Sequence, residues 1–191
     1  QVKRPGIVTF VIDTSSSMAV EKIQKARDGL IRALDAMAKN NQVGLLSFND
    51  IVTTHSPVAP LAENLFVITE AADKMRASGQ TALYDAIKTG IAMTDAAEGE
   101  EAAIRAVVVL TDGRANKGQT ELHDIIRMMS INEAPIASCT GREGDNWCYD
   151  EKRSPVAKAD VIGIGPATDT RYPVQIFFIG IGDDADLQVG R

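Results

Sequence analysis

Hydrophobic residues occur along this chain in two alternating patterns: short continuous runs, and longer stretches with apolar residues three or four positions apart. The continuous runs are rich in β-branched and aromatic residues and lack polar alternation, which is typical of strands buried on both faces of a sheet. Four such runs cover residues 7–12, 43–48, 106–110 and 174–179. A further run at residues 51–55 follows a turn at Asn49 and Asp50 and predicts an edge strand.

Between these runs the apolar positions follow helical spacing, so each stretch predicts a helix with one buried face. The four apolar stripes comprise Ile23, Ala26, Leu30, Leu34 and Met37; Leu61, Leu65, Ile68, Ala72 and Met75; Leu83, Ile87 and Ile91; and Leu122, Ile125, Ile126 and Met129. Strands that alternate with helices of this length predict βαβ units. We therefore expect an α/β fold with a doubly wound, mostly parallel sheet and helices on both of its faces.

Residues 135–172 break this alternation, because they are rich in proline and glycine and are too long for an ordinary connection between a helix and a strand. They predict a surface insertion in a single domain that spans residues 1–191. Within the insertion, the apolar residues 161–164 predict an extra strand or part of a hairpin.

The two cysteines of the chain, Cys139 and Cys148, both lie in this insertion with eight residues between them. They could form a disulfide in an oxidising compartment, while two free thiols and a metal site stay open as alternatives. Zinc fits less well, because it usually takes four ligands and neither histidine lies in this segment. A disulfide would favour an extracellular or cell-envelope location over the cytoplasmic alternative.

The composition narrows the classes of partner. The chain has 191 residues, of which 45% are hydrophobic and 24% charged, as in an ordinary globular domain. Its 20 basic and 26 acidic residues give a net charge of -6. Nucleic acids and anionic membrane surfaces need a positive footprint, so neither is expected as a partner. No apolar run reaches the ~18 residues of a membrane span, and no signal-peptide pattern follows Gln1, so direct membrane insertion is not expected.

Polar residues follow two of the predicted buried strands. Asp13, Ser15 and Ser17 come directly after the first run, and Asp112 follows the run at residues 106–110. Parallel sheets place ligands at the carboxyl ends of their strands, so these side chains are expected at one edge of the sheet. Two carboxylates and two hydroxyls are hard oxygen ligands, which suit Mg²⁺ or Mn²⁺ ahead of Ca²⁺. Since hydroxyls are neutral donors, a bound dication would keep charge to attract an outside anion such as a carboxylate.

At these residues the sequence resembles a known family. The Asp-x-Ser-x-Ser pattern of residues 13–17, followed by Met18, is similar to the start of a von Willebrand factor type A domain. Residues 79–86 resemble the family's threonine loop before a helix, and residues 110–113 resemble its Asp-Gly loop. Residues 178–182 resemble the next buried strand and its glycine-rich exit. The resemblance covers roughly residues 7–188 without the insertion, and it is closest to the prokaryotic branch.

The resemblance implies a Rossmann-like fold with a metal-ion-dependent adhesion site. In the family, the serines and often the threonine contact the ion directly, and the aspartates do so directly or through water. The positions that carry over are Asp13, Ser15, Ser17, Thr81 and Asp112. The resemblance also implies a protein or peptide partner whose exposed Glu or Asp completes the coordination. Thr81 enters through the resemblance alone.

The sequence departs from the family pattern in three places. Ser16 stands where many members have glycine, and it is expected to fit if its backbone keeps φ below zero. The family normally continues with another helix after residues 182–186, so the C-terminal helix is expected to be truncated in this chain. The cysteine-bearing insertion is the third departure.

Plainer interpretations stay open for each residue. Asp13 alone could cap a helix or make a turn, Asp112 with Gly113 could make a turn, and Thr81 could cap the helix that follows it. Asp85, one turn into that helix, is expected to have a structural role at the positive end of the helix dipole.

Three functions compete at this stage. The first is a metal-dependent binding module for adhesion or assembly. The second is a phosphoryl-transfer enzyme with Asp13 as nucleophile, but Ser15 takes the place of the second aspartate that such enzymes use. The third is a scaffold domain of a larger envelope or ATPase-associated protein, without a metal or with a purely structural one. The first is favoured, and catalysis is not expected.

Overall fold

The computed structural model describes residues 4–100, 103–113, 115–129, 147–149, 155–157 and 174–182. The helices and strands, in chain order, are β1 (Gly6–Asp13), α1 (Glu21–Ala36), β2 (Gln42–Phe48), β3 (Val52–Pro60), α2 (Leu61–Lys74), α3 (Leu83–Asp95), β4 (Ile104–Thr111), α4 (Leu122–Met129), β5 (Trp147–Tyr149), β6 (Pro155–Ala157) and β7 (Val174–Gly180). The chain divides into two compact units, one of Gln1–Glu121 with Pro173–Arg191 and one of Leu122–Tyr172.

The first unit is built on a five-stranded sheet with the strand order β3-β2-β1-β4-β7. The strand β1 lies parallel to β2 and β4, and β4 lies parallel to β7. Only β3 is antiparallel, as its short connection from β2 requires. The predicted α/β class with a mostly parallel sheet is therefore confirmed.

The edge strand β3 is longer than the sequence predicted, since it continues to Pro60 rather than ending at residue 55. Pro57 and Pro60 argue against a central strand, because proline cannot donate a ladder hydrogen bond. An edge strand tolerates proline, and here Pro60 pairs with Gln42 at the end of the ladder.

Helices cover both faces of this sheet. On one face α1 and α2 pack on a core that includes Phe10, Ile12, Leu45 and Leu110. On the other face α3 lies close to the sheet at Gly90. A Cβ atom at this position would come within 3.1 Å of the Val11 side chain and 3.2 Å of the Val107 side chain. The helix α3 is also tied to the sheet by Thr94, whose hydroxyl donates to the hydroxyl of Thr9 at 2.7 Å.

The buried faces of α1 and α3 agree with the predicted stripes except at Met37, which follows α1 and is half-buried. The helix α2 also differs at one position. Leu65 was predicted to face the core, but it is 41% exposed. Asn64 is buried in its place, and its amide nitrogen donates to the carbonyls of Val43 and Pro57, each at 2.7 Å. The two hydrogen bonds satisfy this buried amide, which a hydrophobic pattern cannot anticipate.

The second unit contains α4 and the pair of strands β5 and β6, which are antiparallel. In α4, Ile125 is buried but Leu122 is 45% exposed, so the predicted stripe is wrong at Leu122. The predicted strand at residues 161–164 and most of the predicted insertion lie outside the described residues, as does Cys139 of the candidate disulfide. In the part of the chain that the structure describes, no helix combines the length and apolarity needed to cross a bilayer.

Candidate metal-binding site

The candidate site begins at Asp13, the last residue of β1, whose side chain is fully buried. Its carboxylate is tied in two directions, because Oδ1 accepts the backbone N–H of Ser15 at 2.8 Å and Oδ2 accepts the hydroxyl of Thr111 at 2.5 Å. Burial raises the pKa of Asp13; the hydrogen bonds from Thr111 and Ser15 oppose this rise, and the charge of Asp112 adds to it. Asp13 is therefore a rigid carboxylate in a poorly solvated position.

Ser15, Ser17 and Asp112 form a chain of hydrogen bonds. The hydroxyl oxygens of Ser15 and Ser17 lie 3.0 Å apart, and the Ser17 hydroxyl donates to Oδ1 of Asp112 at 2.8 Å. Parallel pairing of β1 with β4 joins these distant segments, since Ile12 is in register with Leu110. Four of the five predicted residues are thus brought together at the carboxyl ends of adjacent strands.

Thr81 lies in a loop that contacts the loop carrying Ser15 and Ser17 through backbone groups. Thr81 is buried in the loop before α3. This loop meets the serine loop, which carries Ser15, Ser16 and Ser17, where the Ser16 N–H donates to the carbonyl of Gly79 at 3.0 Å. The N–H of Thr81 donates to Oδ1 of Asn116 at 2.8 Å. The N-cap of α3 is Ala82 and no side chain caps the helix, so the interpretation of Thr81 as that cap is wrong.

The serine loop tolerates Ser16 but is strained at Val20. Ser16 does not have a positive φ, as expected, whereas Val20 has φ 56° and ψ −89° and is 83% exposed. A β-branched residue rarely adopts this left-handed conformation. Strain of this kind is often found next to functional sites.

A lysine outside the predicted set also reaches the site. The ammonium group of Lys22, in the first turn of α1, donates to Oδ2 of Asp112 at 2.7 Å. Asp112 therefore interacts with Ser17 through one oxygen and with Lys22 through the other. A single lysine in the first turn of a helix belongs to no motif that would have identified it in the sequence.

Asp85 and Asn116 also organise the site without belonging to the predicted set. The Asp85 carboxylate accepts the backbone N–H groups of Gln119 at 3.0 Å and Thr120 at 2.8 Å. Burial acts to raise the pKa of Asp85, but the hydrogen bonds from Thr120 and Gln119 and the charge of Lys88 outweigh it, so this pKa is lowered. Its expected structural role at the start of α3 therefore includes fixing the loop after β4.

Gly118 allows this loop to approach Asp85. It has φ 123°, and a Cβ atom there would lie 2.8 Å from a carboxylate oxygen of Asp85. The same loop carries Asn116, so it reaches Thr81 as well.

The donor set suits a hard divalent cation. Asp13, Ser15, Ser17 and Asp112 offer only oxygen atoms, which Mg²⁺ and Mn²⁺ prefer. Across the described ranges there is no cluster of three His, Cys, Asp or Glu residues, so a cation here would depend on the hydroxyls as well as the two carboxylates. Two nearby aspartates, one of them fully buried, are an arrangement that a dication would stabilise.

A family model matches most of this chain, and relatives in sequence match a large part of it. The family model described as the von Willebrand factor type A domain matches residues 8–189. The inter-alpha-trypsin inhibitor heavy chain H4 of Bos taurus is 34% identical over 145 residues, which are 72% of this chain and 16% of that protein. The protein of the same name from Sus scrofa is 34% identical over 120 residues, 61% of this chain and 13% of that protein. This chain thus spans less than a fifth of the length of these relatives.

Solved structures share the fold at low sequence identity. A von Willebrand factor type A protein from Catenulispora acidiphila superposes with a TM-score of 0.56 and 19% identity, covering 65% of this chain and 30% of that one. The three N-terminal domains of the type V pili tip protein from Porphyromonas gingivalis give a TM-score of 0.53 and 14% identity, covering 78% and 24%. The expected prokaryotic branch stays a prediction. The chain belongs to the von Willebrand factor type A domain family.

Proposed function

We propose that this domain is a protein-binding module that holds a divalent cation and, through it, an acidic residue of its partner. The cation would be Mg²⁺ or Mn²⁺, and its ligands would come from Asp13, Ser15, Ser17, Thr81 and Asp112. The observation that carries the proposal is the hydrogen-bonded chain from Ser15 through Ser17 to Asp112, because it gathers hard oxygen donors from two separate loops.

The residues divide their roles by charge. Asp13 and Asp112 supply negative charge, whereas the serines and Thr81 supply neutral hydroxyl oxygens. A bound dication would supply an electrophilic centre for a carboxylate of the partner. Ser17 is solvent-exposed while Asp13 and Ser15 are buried, so a partner would approach from the side of Ser17.

The proposal is for binding rather than catalysis. In the part of the chain that the structure describes, the carboxylates of Asp13 and Asp112 accept hydrogen bonds from Ser15, Ser17, Lys22 and Thr111. None of them is a general base of the kind that would activate a nucleophile at neutral pH.

A second candidate is a scaffold domain whose site needs no metal. The ion pair of Lys22 with Asp112 favours it, because the ammonium already balances one of the two carboxylates. A divalent-ion titration separates the two candidates.

We also propose an extracellular or cell-envelope location. One relative in structure is the tip protein of a pilus, and it shares the fold of this chain. A reducing and non-reducing mass comparison of the chain would test the companion hypothesis that Cys139 and Cys148 form a disulfide.

Calorimetric titration with Mg²⁺ and with Mn²⁺ tests the metal site. The native chain is expected to bind one ion, and Ser17→Ala to lose about tenfold or more in affinity. Ser16→Ala is the matched control, since Ser16 is also exposed in the same turn but does not belong to the proposed ligand set. Asp112→Ala should lose most of the affinity. Absence of heat with either ion at millimolar concentration in the native chain would sink the metal-dependent function and favour the scaffold.

A partner should then depend on the same residues. Proteins captured by the immobilised chain in Mg²⁺ should be released by a chelator, lost with Ser17→Ala and kept with Ser16→Ala. Substituting the partner's exposed Glu or Asp residues one at a time should identify a single carboxylate that abolishes binding. Capture that is indifferent to the chelator would contradict the proposal.

A further inference from the structure

Lys22 occupies a position that its own helix disfavours. It lies in the first turn of α1, where the positive end of the helix dipole favours acidic side chains and repels cations. Its side chain is only 21% exposed, so the ammonium is partly withdrawn from water. A lysine in such a place requires a compensating interaction.

Asp112 supplies one such interaction. The ammonium nitrogen of Lys22 lies 2.7 Å from Oδ2 of Asp112, whose side chain is 2% exposed. The other oxygen of Asp112 accepts the Ser17 hydroxyl. Lys22 thus places a positive charge on one oxygen of the Asp112 carboxylate, while the other oxygen is bound to the Ser17 hydroxyl.

We propose that Lys22 acts as a tethered cation that competes with the divalent ion for Asp112 and thereby limits the affinity of this site for metal. The inference rests on the proposed function and adds the residue that tunes it. Asp13, Asp112 and Lys22 together carry one net negative charge when both carboxylates are ionised. A dication bound beside these three groups would be attracted less strongly than by the two carboxylates alone.

Metal titration of Lys22→Met tests the inference directly. Methionine keeps the length and apolar stem of lysine but removes the charge. With Mn²⁺ or Mg²⁺ alone as the probe, at fixed ionic strength, Lys22→Met should bind about tenfold more tightly than the native chain, because one repelling charge is gone. Lys25→Met is the matched control, since it removes the same charge from an exposed position in the same helix and should change the affinity less than about twofold.

Thermal unfolding supplies a second readout. In chelator, Lys22→Met should melt below the native chain, because the buried Asp112 loses its counter-charge. In saturating Mg²⁺ this difference should shrink or reverse, since the ion replaces the ammonium and binds the variant more tightly. A purely structural role of Lys22 would lower the melting temperature equally under both conditions.

The outcomes separate this inference from the proposed function. If the native chain binds metal and Lys22→Met binds equally or more weakly, the tethered-cation role is wrong while the metal-dependent function stands. If only Lys22→Met binds, the inference holds and the native chain acts as a metal-independent scaffold. If the native chain and both variants bind nothing, the metal-dependent function fails and the inference fails with it.

Discussion

Within the ranges that the structure describes, Val20 is the non-glycine residue whose backbone has a positive φ. It precedes α1 and follows the serine turn, so its conformation sets how the chain passes from the candidate ligands into the helix. Its side chain is almost fully exposed and contributes little packing that could offset the strain. The conformation is therefore imposed by the loop and not by the side chain.

Replacing Val20 with glycine should stabilise the domain. Glycine adopts positive φ at little cost, so relief of strain should exceed the entropic penalty of glycine and raise the free energy of unfolding by about 1 kcal/mol. Denaturant unfolding in the presence of a chelator measures this change in the free energy of unfolding. Ala19→Gly is the control, because Ala19 is also exposed but has φ −56° and should lose stability instead. Equal losses in both variants would mean that Val20 is unstrained.

His55 gives the stability a pH dependence. Its Nε2 lies 2.7 Å from the Ser47 hydroxyl, and burial lowers the pKa of His55 from its ordinary value of 6.5. The unfolded chain therefore binds a proton more readily, so the stability from neutral His55 is complete above pH 6.5 and is lost as the pH falls below it.

The free energy of unfolding should accordingly fall more steeply between pH 7 and pH 5 in the native chain than in His55→Gln. Denaturant titrations at several pH values measure this slope. A native slope in His55→Gln as well would show that another group titrates.

At the scale of elements, α2 shows what a hydrophobic pattern can and cannot predict. Its existence and limits follow from spacing, and Leu61, Ile68 and Ala72 are buried as expected. Leu65 fits the same spacing but is exposed, because Asn64 faces the sheet and bonds to carbonyls of β2 and β3. The exchange depends on tertiary acceptors that no local pattern contains.

Asn64→Ala should therefore destabilise the domain far more than Leu65→Ala. Removing the amide leaves the carbonyls of Val43 and Pro57 without this donor, and the loss should be about 1–3 kcal/mol. Leu65→Ala, the neighbouring and exposed change, should cost less than about 0.5 kcal/mol. Denaturant unfolding of the two variants provides the comparison. A larger loss from Leu65→Ala would mean that Leu65 packs against the core after all.

The candidate site could be predicted only in part, because some of its residues follow from local pattern and others depend on contacts between distant segments. Asp13 and Asp112 follow from the rule that parallel strands end at one edge, and Ser15 and Ser17 follow from their alternation after β1. Thr81 needed the family resemblance, because its loop contributes no comparable pattern. Lys22 and Asn116 could not be predicted, since each acts through a partner about 35 to 90 residues away.

At the scale of the whole chain, the two compact units differ in whether they contain candidate metal ligands. The five candidate ligands all belong to the unit of Gln1–Glu121 with Pro173–Arg191. The unit of Leu122–Tyr172 contains the two cysteines and contributes none of these ligands. Metal binding is thus expected to report on the first unit.

Mg²⁺ should raise the thermal stability of the unit of Gln1–Glu121 with Pro173–Arg191 if the proposed site forms. An ion that binds only the folded state at a concentration 100 times its dissociation constant adds about 2.7 kcal/mol. Thermal unfolding in Mg²⁺ and in chelator measures the shift, with Na⁺ at equal ionic strength as the control. A shift reproduced by Na⁺, or retained in Ser17→Ala, would be a general salt effect.

The register of β1 with β4 has a kinetic consequence. Ser17 and Asp112 are 95 residues apart, and they meet only after parallel strands from both ends of that interval have paired. Such non-local contacts form late in folding. Metal ions should therefore leave the refolding rate almost unchanged and slow unfolding instead. The ion would then stabilise the folded domain kinetically without assisting its folding.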